Sequence, residues 1–390
     1  MISILLSWKN IFNFIFLIWI ISIPFKNSIY QASTILLILF FLIYLIKHRD
    51  FLYFKDLILR YKGILYSFLI ILISMAISNI INDVNIDSWK IQFAYIYRYV
   101  LMFIILLYFY SKEIFTKKIL YIFLLFSLSV QSFDGLYQSI LGYDFFKHNL
   151  GNLEEGLTGF TFNRNIFALI VGLGVLLCVF SIKIKKSNKI NFIVILLGFI
   201  FIFCTLFSYS RAVWVALFLS LFFYFFINLK SIKITHILYV ISIFLVIGIA
   251  FAYVDSLQNR LDLLLNGNSS NRDKIWLYTL NLIQQKPIFG WGLDTWSIIG
   301  LKDYANVHNS ILEILLYLGI FGLFSFTYFF INILKEINYY KNSSAFCVLI
   351  YLIVISFFDQ DIFTGKIYLS FFTILMFYIY SDKINLKGEN

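Results

Sequence analysis

Arg98, Arg164, Arg211, Arg272 and His308, with the carboxylates Asp134 and Glu313, are the side chains best placed for chemistry in an otherwise apolar sequence. An ionisable group inside or beside an apolar run is costly to keep there, so each is a functional candidate. A guanidinium grips phosphate oxygens in a bidentate fork and keeps its charge. Two or three guanidiniums converging at a bilayer surface suit a lipid diphosphate, and would neutralise it as it departs. An imidazole, with an ordinary pKa of about 6.5, can take a proton from an attacking hydroxyl. Arginine plus histidine therefore points to group transfer from a polyprenyl-diphosphate carrier. No glycine-rich phosphate loop appears, and the histidines and carboxylates lack metal-ligand spacing. Neither a cofactor nor a metal is expected.

Placing these groups takes membrane spans. The chain has 390 residues, 61% of them hydrophobic and 13% charged, with two prolines. A soluble domain is about 45–50% apolar and about 25% charged. A bilayer span needs roughly 20 apolar residues. Apolar runs broken by charge predict an all-α, polytopic bundle forming a single membrane domain over residues 1–390. The twelve predicted spans lie near 8–25, 28–46, 63–81, 92–110, 119–141, 162–182, 190–207, 211–228, 234–254, 308–329, 345–358 and 366–381. A medium loop covers 142–161 and a long one covers 255–307. A loop of that length without structure is uncommon unless it has a function. Within it Ile275, Tyr278, Leu282 and Ile283 fall at helical spacing, predicting an amphipathic helix on the membrane surface that ends at Lys286–Pro287. Gly290–Trp291–Gly292 then predicts a turn.

The net charge of +11 is a matter of topology. With the N-terminus inside, the inner segments carry 19 of the 31 Lys and Arg residues and six acids, a local net charge of +13, against −2 for the rest. This is a positive-inside pattern, and it removes nucleic acid as a partner. Both termini fall inside, and Arg164, Arg211, Arg272 and His308 fall at the outer face. Cys178, Cys204 and Cys347 lie far apart within apolar runs and read as packing residues.

Four patches carry a resemblance. His308–Asn309 is followed after nine residues by Gly319, then after two more by Gly322. Arg272 and Trp276 precede Pro287, Gly290 and Gly292. Ser210–Arg211 opens a span after a polar break. Gly159 to Asn165 is a glycine-bearing stretch ending in Asn before a span. Together they resemble the O-antigen ligase and polymerase superfamily over roughly 155–325, with Arg164 standing where that family usually has Pro. The resemblance implies a bacterial inner-membrane enzyme whose active site faces the periplasm. Its donor would be an undecaprenyl-diphosphate-linked glycan and its acceptor a sugar hydroxyl of lipid A-core, with inverting, metal-independent transfer. Arg211 and Arg272 would contact the diphosphate. His308 would be the base or an essential orienting group. Arg164, Asn309, Glu313 and Trp276 follow as substrate-binding candidates.

Blander readings stand beside these. Arg211 could anchor to headgroups, Arg272 could be a solvated loop residue, and His308 a helix cap. Arg98 is expected to pair with Asp134 inside the bundle. Glu313, five residues after His308, need not share its face. His148, Glu154 and Glu155 read as solvated. The loop tryptophans Trp276, Trp291 and Trp296 could stack on sugars or anchor the loop. Within the superfamily, the polymerase and the protein-glycosylating ligase are rivals. Outside it the rival is a twelve-span transporter or flippase, whose activity would depend on Arg98 or Asp134. The outer-face arginines and the lack of a repeat argue against it.

Overall fold

The computed structural model of the protein describes residues 7–25, 27–148, 150, 151, 153, 156–181, 188–229, 234–267, 270–358 and 361–385. Its first third forms helices α1 (Trp8–Ser22), α2 (Asn27–His48), α3 (Phe51–Arg60), α4 (Lys62–Ile81), α5 (Ile86–Tyr95), a π-helical turn at Ile96–Val100, α6 (Leu101–Ser111) and α7 (Lys117–Leu141). There follow α8 (Arg164–Ser181), α9 (Asn188–Phe207), α10 (Arg211–Asn228), α11 (Ile234–Tyr253), α12 (Asp255–Leu265) and α13 (Arg272–Gln285). The chain closes with α14 (Trp296–Ile299), α15 (Ser310–Tyr340), α16 (Ser343–Ser356), α17 (Lys366–Tyr380) and α18 (Asp382–Asn385). Each of the twelve predicted segments is helical over most of its length. Eight described helices are long and apolar enough to cross a membrane, and Trp8–Ser22, Asn191–Phe207 and Ser343–Ser356 are shorter apolar helices. No strand occurs among the described residues; one isolated bridge joins Tyr143 to Leu150. Glu154 and Glu155, and Lys183, Lys185, Lys186, Lys230, Lys233, Lys387 and Glu389 of the inner segments, lie outside the described residues.

The helices start where side chains can satisfy their first N–H groups. Asn85 Oδ1 accepts from Asp87 and Ser88, Thr116 Oγ1 from Ile119, and Asn342 Oδ1 from Ala345. Gly142, at φ 80°, closes α7 in the left-handed conformation. Large apolar side chains then turn outward as well as inward. Phe14, Leu52, Phe93, Phe226 and Phe324 are exposed while Phe12, Phe16, Trp19 and Tyr108 are fully buried. Such an outer surface is stable against lipid tails and not against water.

The most extensive pairings are α10 with α16, α15 with α4, and α9 with α8. Buried polar groups fasten several pairs. Tyr351 Oη of α16 donates to the Leu169 carbonyl of α8, and Asn332 Nδ2 of α15 to Ser67 Oγ of α4. Cys178, Cys204 and Cys347 are buried and unbridged, in keeping with packing.

The expected Arg98–Asp134 pair does not form. Arg98 sits in the π-helical turn and its Nε donates to Tyr97 Oη at 2.8 Å. Asp134 Oδ1 accepts from the Phe145 amide at 2.9 Å. Each group has a nearer partner, though Asp134 Oδ2 stays buried without one among the described residues, and the extra residue of the π turn shifts the helix face on which Arg98 lies.

Candidate functional site

The long segment before α15 is held by a break inside α15. Gly319 has φ 65° and ψ −162°, a conformation open in practice to glycine alone. The break frees carbonyls and amides on both sides of it. The stretch after α13 takes them up. Trp291 and Gly292 donate to the carbonyls of Leu316 and Tyr317 at 2.8 and 3.0 Å, while Ile320 and Phe321 donate to those of Pro287 and Ile288 at 2.9 and 3.2 Å. Backbones approach this closely because neither side has a Cβ. One built on Gly319 would overlap the Ile288 carbonyl, and one on Gly290 the Tyr317 backbone. The predicted turn is thus a strap of residues 287–293 laid into a broken helix.

The end of α4 fixes the strap from beneath. Ser78 Oγ donates to the Tyr317 carbonyl at 2.6 Å, Asn82 Nδ2 to the Gly290 carbonyl at 3.1 Å, and Lys286 Nζ to Asn82 Oδ1 at 2.6 Å. Asn79 Oδ1 accepts from the Leu293 amide, and Ser88 Oγ donates to its carbonyl. Trp291 and Trp296 spend their indole N–H groups on the Leu282 and Tyr304 carbonyls, so both are built into the loop.

Three guanidiniums gather beside this scaffold. Arg211 is the first residue of α10, preceded by Ser210 and by Tyr209 at φ 56°. Its Nη2 donates to Ser270 Oγ at 2.7 Å, and Arg272 and Arg260 lie within electrostatic reach of it. Arg260, on α12, stacks its guanidinium 5.6 Å from the Tyr209 ring centroid. Tyr209 Oη in turn meets Ser256 Oγ at 2.6 Å and donates to the Leu153 carbonyl. Among the described residues neither Arg211 nor Arg260 has a carboxylate partner. Like charges held this close repel, and an anion between them relieves the repulsion.

Hydrogen bonds also locate His308 relative to these arginines. Ser343 Oγ, at the start of α16, donates to Asn228 Oδ1 at the far end of α10. Ser356 Oγ, at the other end of α16, accepts from Ser310 Oγ at 2.9 Å. Because α16 runs back along α10, His308 and Arg211 occupy the same end of the bundle. His308 has φ 54°, rare for a side chain with a Cβ. Asn309 is the cap of α15, its Oδ1 accepting from Ile311 and Leu312 at 3.0 and 3.1 Å. That leaves only its Nδ2 for a ligand. Glu313 is buried and its Oε2 accepts from the Ile362 amide at 3.1 Å, tying α15 to the segment before α17.

Residues 192–327 match the family model described as O-Antigen ligase. This stretch is similar to the O-antigen ligase family. No curated protein matches the chain. The matched stretch holds Arg211, Arg260, Arg272, His308 and the glycines of the strap. The long apolar helices fit a multi-pass membrane protein.

Arg164 lies outside the matched stretch. It begins α8 behind Asn163, whose Oδ1 caps that helix. The loop before it crosses the bundle end close to the site, with the Leu157 amide on the Phe207 carbonyl and the Thr158 and Gly159 amides on Gln138 Oε1. Trp276, on α13, presents an enclosed indole N–H with no acceptor among the described residues. Sequence reasoning missed Arg260, Ser270 and Tyr209. The sequence holds Arg260 among loop residues with Asp255 and Asp262 nearby, and nothing there separates it from a solvated cation. The helical spacing from Arg260 to Ser256 and Tyr209's position next to Ser210–Arg211 were the available signals.

Proposed function

We propose that the protein transfers an undecaprenyl-diphosphate-linked glycan to a sugar hydroxyl of lipid A-core, at the periplasmic face of the bacterial inner membrane. What supports this above all is the convergence of Arg211, Arg260 and Arg272 at the same bundle end as His308, all within the matched stretch. The positive-inside pattern supports an outward-facing site, in a bundle of about twelve spans with both termini in the cytoplasm. The donor diphosphate lies among the guanidiniums. The acceptor oxygen bonds to the anomeric carbon as the carbon–oxygen bond to the diphosphate breaks, inverting that centre. His308 takes the hydroxyl proton, and the arginines hold the charge that appears on the departing diphosphate. Trp276 offers its N–H to the glycan, and Asn309 and Glu313 hold the start of α15 in place.

The experiment is deletion of the gene in its host, complemented with wild type or His308→Ala, with lipopolysaccharide and undecaprenyl-linked glycan analysed together. Core-only lipopolysaccharide with full-length polymer left on the carrier is the expected result for both the deletion and His308→Ala. A single repeat attached to core would make the protein a polymerase. Unchanged lipopolysaccharide in the deletion would overturn the reading and turn attention to protein glycosylation or transport.

A further inference from the structure

At the end of the bundle away from the arginines, a cavity of about 510 Å³ opens between α7, α8, α10, α16 and α17. Its position follows from α10. Tyr224 lines the cavity and lies thirteen residues beyond Arg211, about 20 Å along the helix at 1.5 Å per residue. Leu124, Leu173, Leu177 and Ile374 form its walls. Leu124 and Leu173 are buried between helices and so do not belong to the outer lipid-facing surface. The slot reaches about 10 Å inward, from Lys117 to Leu124 along α7. Bundle interiors are close-packed, so an apolar slot of this size between helices is a feature to account for. Its volume lies in the range of true ligand sites, about 300–1,000 Å³.

The mouth differs in chemistry from the walls. Lys117, Lys118, Ser181 and Ser344 surround it. Lys117 pairs with Asp382, which also accepts from Asn342 Nδ2, and its ammonium lies 4.6 Å from the Tyr378 ring centroid. Lys118 is exposed, and no acid pairs with it among the described residues. An apolar slot under a cationic, hydroxyl-bearing rim matches one chemistry: an acyl chain below a phosphate.

We infer that this cavity holds an anionic phospholipid, with one acyl chain between α7, α8 and α17 and its phosphate at Lys118 and the Ser344 hydroxyl. Basic pockets between membrane helices on the lysine-rich side are suited to such headgroups. The lipid fills the slot and braces α10, whose other end carries Arg211. The inference does not rest on the proposed reaction. The orientation reading only names the leaflet, the inner one.

The test uses the full chain purified in detergent, with thermal unfolding followed while phosphatidylglycerol or phosphatidylcholine is titrated in, and retained lipid measured by mass spectrometry. Phosphatidylglycerol is expected to raise the midpoint by several degrees and to stay bound, and phosphatidylcholine to do neither. Lys118→Gln should raise the half-saturating phosphatidylglycerol concentration about fivefold, the equivalent of roughly 1 kcal/mol per basic residue. Leu124→Trp, which fills the slot, should abolish the shift. If that variant does not fold, Leu177→Phe takes its place. Equal stabilisation by both lipids, an undiminished shift in the filled variant, or no response in the wild type would each overturn the inference. Transfer activity is not read, so this result stands or falls apart from the proposed function.

Discussion

Two regions at the same end of the bundle are built on opposite principles. The strap at 287–293 joins α15 through backbone bonds in both directions, while side chains of Asn79 and Asn82 of α4 and Ser88 of α5 hold the strap backbone and Ser78 takes up the Tyr317 carbonyl. Nothing there waits for a partner. The arginine cluster is the reverse. It brings three cations together with a serine hydroxyl and a tyrosine ring for company. One region commits its polar groups to holding shape, and the other gathers positive charge suited to an anion. A fixed scaffold next to a cluster of like charges is what a preorganised electrostatic site requires, because the scaffold supports the repulsion that an anion would lessen.

The sharpest way to break this contrast is to attack the scaffold. Gly319→Ala forces a side chain into a glycine-only conformation, a strain of about 1–3 kcal/mol, and also pushes it into the Ile288 carbonyl. The expected outcome is a large loss of folded protein, read as a fallen yield of monodisperse material and a lower unfolding midpoint. Full stability in that variant would mean the strap is decoration.

Next come the arginines, where folding should be spared and function lost. Arg211→Lys keeps the charge and loses the bidentate fork. We expect glycan transfer to fall about 100-fold, the loss typical of one oxyanion-stabilising donor, with an unfolding midpoint unchanged or raised. Wild-type transfer there would reduce Arg211 to a membrane anchor. Arg260→Ala should act in the same sense but more weakly, about tenfold, because its guanidinium stacks on Tyr209 at the side of the cluster. If removing Arg260 weakened folding while transfer stayed normal, that arginine would belong to the scaffold.

The sequence and the structure agree where the physics is local. Apolar runs become helices because a bilayer leaves no other way to satisfy a spanning backbone. Arg211 could be placed at the head of a helix because Ser210 precedes it after a polar break. The helix at Arg272–Gln285 and its stop at Lys286 were legible from apolar spacing and from Pro287. The rest depends on contacts across the chain. Asn79 and Asn82 read as the polar end of a span, and no spacing rule says that their partners lie more than two hundred residues later. The segment 255–307 read as one loop with one helix, whereas α12 adds a second, and with it Arg260. Arg98 was matched to Asp134 as the available opposite charge inside the bundle, but a tyrosine hydroxyl and a backbone amide were nearer to each.

The smallest expected effect gives the contrast a control far from both regions. Asp50, between α2 and α3, accepts from Lys112 Nζ at 2.7 Å and from Tyr108 Oη at 2.9 Å. The hydrogen bond from Lys112 holds its carboxyl below the usual carboxylate range. A depressed carboxylate stabilises the fold above its unfolded pKa of about 3.9, and that contribution disappears as pH falls through the lower folded value. The pair is partly solvated, so the effect should be modest. The wild-type unfolding midpoint should therefore decline below about pH 4 more steeply than that of Asp50→Asn, and the two curves should run parallel above it. Transfer by Asp50→Asn at neutral pH should match the wild type. A deficit in transfer without a deficit in stability would mean that charge at this end of the bundle reaches the arginine cluster, and the separation of scaffold from site would have to be redrawn.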